Sequence, residues 1–250
     1  MFTLLFGDYT FPNQTFEITD FGIDNDIQEE NIPRQHGSVI QAPYLKSRAI
    51  KISGFIHNST VAASHAEFLA MQKALLAGEY NFQYRSDRYI KCYTRKIQPK
   101  SKEGTDRAVL DIDITLMAQN PFFYSAGASI SDVQTPVKGT TLSFGLNNEG
   151  DVFSEPIFKI CAIDGLTGGA ISDDILLTNL TNNKIIRFRG VIASGLTMEV
   201  DSDELTVINN GVDGLSNFEG DFITLDAGTN LFQYVGATCR LTTEWRKRWY

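Results

Sequence analysis

Trp245 and Trp249 flank Arg246, Lys247 and Arg248, and an aromatic and basic run of this kind could stack on a sugar ring or a nucleobase. The plainer reading is a last strand that turns one tryptophan inward and ends in solvated cations. Asp111 and Asp113 share one strand face and could act as a carboxylate pair. Their partner strand offers Lys91 and Arg95, so cross-strand ion pairing explains them more simply. Asp24 to Glu30 ("DNDIQEE") is dense in carboxylates but lacks the glycine and the ligand spacing of an EF-hand calcium loop. Asp201 to Glu204 ("DSDE") reads as a hairpin tip. His36, His57 and His65 have no HExxH spacing, and His65 falls in the first turn of a helix, exposed. No GxSxG elbow and no GxxxxGK[ST] loop occur, and "GLTGG" at 165–169 is a turn. Cys92, Cys161 and Cys239 lie far apart in apolar alternating runs, as buried thiols of a chain assembled in a reducing compartment. These patterns predict no catalytic residue, no metal site and no cofactor, so the elements have to carry the reading.

The 250 residues are 42% hydrophobic, enough for one large core or two ordinary ones. The net charge of -8 disfavours sequence-independent nucleic-acid binding. Its distribution is uneven: residues 1–125 carry 13 cations against 14 carboxylates, and residues 126–250 carry 9 against 16. The apolar start "MFTLLFGDYTF" has no basic flank and meets Asp8 at once, unlike a signal peptide, and no run is long enough to span a bilayer.

"TFEITDFGI" alternates, "DNDIQEENIPRQHG" reads as a long loop, and "RAIKISGFIH" is a strand in which Gly54 marks a bulge or a close approach. One helix follows, over about 60–77. Its start is Ser64 with Glu67 in a capping-box spacing, or alternatively Thr60, and Gly78 fits its stop. Phe68, Leu69, Met71, Gln72, Leu75 and Leu76 keep helical spacing along one apolar face. "RYIKCYTRKI" and "AVLDIDITLMA" form a hairpin whose loop spans Gln98 to Asp106. In the first of these strands Ile90 and Cys92 face inward, while Tyr89, Lys91, Tyr93 and Arg95 face out. That outward face is either solvated or in contact with a neighbouring subunit.

The second strand ends at Asn120-Pro121, because proline cannot donate to a ladder. Phe122, Phe123 and Tyr124 then bury against the first core or at an inter-domain seam. The Gly-, Ser- and Thr-rich stretch from Ala126 reads as a linker and an opening strand. Beyond it come short strands separated by Gly, Asn and Asp, with a tight turn at Asn182-Asn183, the pattern of an antiparallel sandwich. The predicted architecture is mainly β: an N-terminal sandwich- or barrel-like domain with one helix over 1–130, then a β-sandwich over 136–250.

The order of these features resembles the distal tail protein (Dit) family of long-tailed bacteriophages over essentially the whole chain. The residues that carry the likeness are "KISGFI" before the helix, "DITLMAQNPFFYS", the late "FITLDAGTNLFQY" and the final "WRKRWY". The resemblance implies a galectin-like C-terminal sandwich and a structural role without enzymatic activity. It implies a ring of about six copies joining the tail tube to the tip or baseplate around a DNA channel. The implied partners are other copies, the tube protein, and tip and receptor-binding proteins, with no specific nucleic acid and no membrane. The implied location is the virion tail tip, assembled in the host bacterial cytoplasm. Tyr89, Lys91, Tyr93 and Arg95 are then the candidate ring contact, with an arm from Gln98 to Asp106. The alternatives are a carbohydrate-binding sandwich reading host glycans through Trp245 or Trp249, and another tube or adaptor component.

Overall fold

Alternation of apolar and polar residues at 48–57 and 109–118 produces the longest unbroken pairing of the chain. In the computed structural model, strands Arg48–His57 and Val109–Ala118 run antiparallel from Val109 opposite His57 to Ala118 opposite Arg48. The structure describes residues 3–12, 15–26, 29–31, 38–40, 44–100, 108–162 and 174–250, with backbone alone for 29–31 and 38–40. The chain divides into two units, one of residues 1–126 with Tyr250 and one of residues 127–249.

The first unit is built on one antiparallel sheet. Its strand order is Tyr9–Thr10, Leu5–Phe6, Glu79–Arg85, Arg88–Lys100, Val109–Ala118, Arg48–His57 and Phe16–Asp20. Phe123–Ser125 pairs with the start of Arg88–Lys100. Ile50, Ile52, Ile112, Ile114 and Leu116 are buried on one face of the sheet. Each such side chain contributes roughly 2 kcal/mol by leaving water.

Helix Val61–Leu75 packs on the sheet and buries Phe68, Met71 and Leu75. Its cap is Thr60, whose hydroxyl accepts from the Ala63 amide at 3.2 Å, and not Ser64. Ser64 is fully buried and accepts from the Asn58 amide while donating to the Ala108 carbonyl. Glu67 accepts from the Asn58 side chain. The Ser64–Glu67 pair therefore fixes the strand end that enters the helix. Leu69 and Leu76, expected on the buried face, are exposed, because the sheet meets only a narrow stripe of the helix.

Gly54 is a site of close approach. A Cβ there would lie 2.3 Å from the Thr15 carbonyl oxygen and 2.3 Å from a Phe16 ring carbon. The Phe55 amide donates to that same carbonyl, so the backbone cannot withdraw. Gly54→Ala is expected to destabilise the first unit by roughly 3 kcal/mol, read as a lowered midpoint in urea unfolding.

Two other segments depart from expectation. The polar stretch after Gly22 forms short ribbons instead of one loop: Asn25–Asp26 pairs with Tyr44–Leu45, and Glu29–Asn31 with Ser38–Ile40. Asp26 there accepts from the Tyr44 hydroxyl at 2.7 Å and pairs with Lys46 at 3.0 Å, which holds its carboxyl below the usual range. The expected hairpin loop begins later than Gln98, since Arg88–Lys100 is strand throughout. The rest of that loop, with His36 and the "GLTGG" turn, lies outside the described residues.

The second unit is a sandwich of two antiparallel sheets. One has the order Ser129–Ile130, Arg240–Trp245, Ile157–Cys161, Thr197–Asp201, Thr206–Asn209, Val212–Asp213. The other runs Leu142–Asn148, Gly228–Val235, Ile175–Asn179, Lys184–Phe188, Phe218–Gly220. Phe158, Ile160 and Val200 from the first sheet meet Leu177, Ile186, Phe232 and Tyr234 from the second in a single core. The Gly- and Ser-rich stretch read as a linker is already paired: Ser129 lies opposite Trp245, and Gln134 bridges Leu241. Asn183 takes a φ of 59° in the turn between Ile175–Asn179 and Lys184–Phe188, a conformation asparagine tolerates.

Candidate assembly face

Tyr89, Lys91 and Tyr93 lie on the outward side of strand Arg88–Lys100, and Ile90 and Cys92 are fully buried behind them. Burial pushes the Cys92 thiol up to about 12, so it is an unreactive core group. Tyr89 stacks on Tyr124 at 5.6 Å and 19°, and the Lys91 ammonium lies 5.9 Å from the same ring. Tyr93, 42% exposed, stands opposite Glu79 and Met117.

Arg95 does not continue this face. The register shifts between Thr94 and Lys96, leaving Arg95 as the extra residue of a β-bulge, exposed but without a cross-strand partner in the ladder. The bulge also displaces the expected ion pairs. Asp113 stands opposite Gln98, pairs with Lys100 at 2.7 Å and accepts from Ser53 at 2.8 Å. Lys100 in particular holds its carboxyl below the usual range. Lys91 and Arg95 take no part in that contact. The face thus joins two exposed or half-exposed tyrosines, one lysine and, past the bulge, a mixed-charge strip. Such a surface suits a polar protein contact.

Beside Lys91 the sheet edge opens into a cleft of about 420 Å³ lined by Asp8, Glu79, Tyr80, Asn81 and Gln83. The aromatic run after the strand end is fixed locally. The Asn120 side chain accepts from the Phe122 amide at 3.2 Å, which turns the chain at Pro121. Phe123 and Tyr124 are buried on first-unit partners, Phe123 against Tyr84 at 5.0 Å and Tyr124 on Tyr89. The Phe122 ring meets the edge of Tyr250 at 5.8 Å.

In the second unit Trp245 belongs to the core and is 7% exposed, so its ring offers no stacking surface. Trp249 is half-buried on the short strand Arg248–Trp249. Between them lies a cluster that the sequence reading missed. Arg248 is buried, and its Nη2 donates to Glu155 and, at 3.0 Å, to Asp203. Asp203 sits on the expected hairpin tip, where the Asp201 carboxylate accepts from the amides of Asp203 and Glu204. These three charges are far apart in the chain, and no local pattern announces their meeting.

Burial, aided by a hydrogen bond with Asp203, raises the Glu155 carboxyl above its ordinary 4.5 despite Arg248. Between the ordinary and the raised value the folded unit binds more protons than the unfolded chain. The stability from Glu155 is therefore full below about 4.5 and is lost as pH rises through the raised value. The melting temperature of the second unit is expected to fall over that interval, and Glu155→Gln is expected to flatten the profile.

Among the described residues, no group of three His, Cys, Asp or Glu side chains could hold a metal ion, and no helix is long and apolar enough to cross a membrane. Residues 149–249 match the family model described as the siphovirus-type tail component, C-terminal domain. No curated protein matches the chain. Among solved structures, the SPP1 Dit protein (gp 19.1) superposes with a TM-score of 0.77 at 13% identity, covering 99% of both chains. Its structure is described as a paradigm of the hub adsorption apparatus in phages infecting Gram-positive hosts. The baseplate of phage P2, in its activated conformation with calcium, gives a TM-score of 0.50 at 6% identity over 94% of this chain and 91% of that one. At these identities the superpositions speak to the fold, and the family match speaks to residues 149–249. Residues 149–249 are thus similar to the C-terminal domain of siphovirus-type tail components, and the chain has the fold of a Dit protein.

Proposed function

We propose that this tail component closes into a ring of about six copies that joins the tail tube to the tip or baseplate around a channel for DNA. The first unit forms the ring, and the second projects as a galectin-like scaffold for tip and receptor-binding proteins. Phe122, Phe123 and Tyr124 lie near the end of the first unit in the chain. The observation that carries this reading is the whole-length likeness to a Dit protein together with the family domain at residues 149–249. The net charge of -8 suits a channel that DNA traverses without adhering. The free thiols Cys92, Cys161 and Cys239 suit assembly in a reducing host cytoplasm. The role is structural, with no reaction catalysed.

The ring contact we assign to Tyr89, Lys91 and Tyr93, with Arg95 on the adjoining bulge. Tyr93→Ala and Arg95→Ala are each expected to weaken self-association about tenfold or more, measured by sedimentation across concentration, with the melting temperature nearly unchanged. Association unaffected by both substitutions would remove this face from the interface.

A further inference from the structure

One sheet edge of the second unit is left open. Leu142–Asn148 is the last strand of its five-stranded sheet, and its register with Gly228–Val235 runs unbroken from Leu142 opposite Tyr234 to Asn148 opposite Gly228. Alternate amides and carbonyls of an edge strand point away from the sheet. Among the described residues, none of the seven in this strand has a backbone hydrogen bond on that side.

Folded proteins protect such edges with charge, proline, a bulge or shortness. The other ends of the three larger sheets do so. Tyr9–Thr10, Ser129–Ile130 and Val212–Asp213 are two residues long. Phe16–Asp20 carries Glu17 and Asp20 and a register shift, and Phe218–Gly220 carries Glu219 and a left-handed Gly220 with a φ of +108°. Leu142–Asn148 ("LSFGLNN") has no charge, no proline and no bulge.

Two further features of the strand look outward. Leu142 and Phe144 face the core side yet stay half-buried, although the Phe144 ring stacks on Phe232 at 5.3 Å and 14°. A neighbouring strand would cover them. On the outer face Gly145 is exposed, its backbone is not left-handed, and a Cβ there would meet nothing nearer than 3.9 Å. Nothing among the described residues requires glycine at that position, and a glycine inside a strand often marks the close approach of another backbone.

A second copy of the same strand meets these demands. Paired antiparallel about a two-fold axis with faces matched, it sets Leu142, Phe144 and Leu146 of the two copies side by side on the core side. Ser143, Gly145 and Asn147 meet on the outer side, where no charge opposes its like. A two-fold contact needs a self-complementary patch of this kind.

We propose that Leu142–Asn148 is a strand-pairing surface that takes the same strand of a second copy and joins the two five-stranded sheets into one. Neighbours around one ring axis are not related by such a two-fold, so the pairing joins chains of different rings and is independent of the first-unit contact. Seven residues a side bury less than a standing interface, so the pairing forms in concentrated samples and dilute rings stay single.

The test follows amide hydrogen exchange of residues 142–148 in the full-length chain, dilute and concentrated. Exchange there is expected to slow about tenfold or more on concentration, whereas a ring closed through the first unit alone leaves these amides exchanging as in the monomer. Ser143→Lys/Gly145→Lys/Asn147→Lys sets lysine against lysine in every face-matched register, and Ser143→Glu/Gly145→Glu/Asn147→Glu sets glutamate against glutamate. Each variant alone is expected to lose the slowing. An equal mixture of the two is expected to regain it, because lysine then faces glutamate, and that recovery also shows both variants folded.

Exchange that is the same at both concentrations would overturn the proposal. Slowing that survives the lysine substitutions would place the contact elsewhere, and slowing that the mixture does not regain would overturn the second copy as the occupant. Self-association with these amides unprotected would leave the ring reading standing and overturn this pairing alone.

Discussion

Arg248→Met is expected to destabilise the second unit by about 3 kcal/mol, the low end of the range for breaking a buried ion cluster. The buried guanidinium is the common partner of Glu155 and Asp203, and its removal leaves two carboxylates facing each other. Asp203 keeps 41% of its side chain in water, which softens the loss. Urea unfolding should show a lower midpoint with an unchanged slope. Arg248→Met/Glu155→Gln should recover part of the deficit, because it removes a charge left without its counterion. The cluster ties the last short strand to the loop at Glu155 and to the Asp201–Glu204 tip, so an early loss of the C-terminal segment is expected to precede global unfolding.

Asn230→Ala is expected to cost the second unit about 3 kcal/mol as well, or roughly 10 °C in melting temperature. Asn230 is fully buried in strand Gly228–Val235. Its oxygen accepts from the Asp226 amide at 2.9 Å and from the Asn179 side chain at 3.2 Å. Its amino group donates to the carbonyls of Asp226 at 2.8 Å and Gly228 at 3.2 Å. Alanine would leave the buried polar groups of that turn unanswered, and their desolvation is the larger part of the cost. This explains physically the "DAGTN" stretch that contributes to the family likeness. Gly228 takes a φ of +90°, and Asn230 closes the turn from inside. The stretch is a structural device, and thermal melts of Asn230→Ala against wild type measure its worth.

Much of the fold is legible in the chain. The alternation at 48–57 and 109–118, the helical spacing of Phe68, Met71 and Leu75, and the proline that ends the strand before Phe122 each rest on local geometry, and each is present. Ser64 misled as a cap because the capping-box spacing is equally satisfied by a serine that holds a neighbouring strand end. The bulge at Arg95 was hidden because a single inserted residue leaves no mark in a run of polar side chains, yet it moves every later contact of that face. Lys100 consequently takes the place expected for Lys91 and Arg95 beside Asp113.

The burial of Arg48 was legible in principle, since this residue stands on the Ile50 and Ile52 side of the alternation, where a cation is out of place. Arg248 was not, because its partners Glu155 and Asp203 are brought to it only by the folded sandwich. Trp245 illustrates the opposite case. An aromatic beside cations suggests a ligand platform, but the strand's alternation turns it into the core.

The most direct test of self-assembly is the mass of the purified chain by light scattering across concentration, with negative-stain images of the same samples. The proposed role predicts single closed rings of about six copies with an open centre. A chain of monomer mass at every concentration, or one that stacks into long tubes, would contradict it.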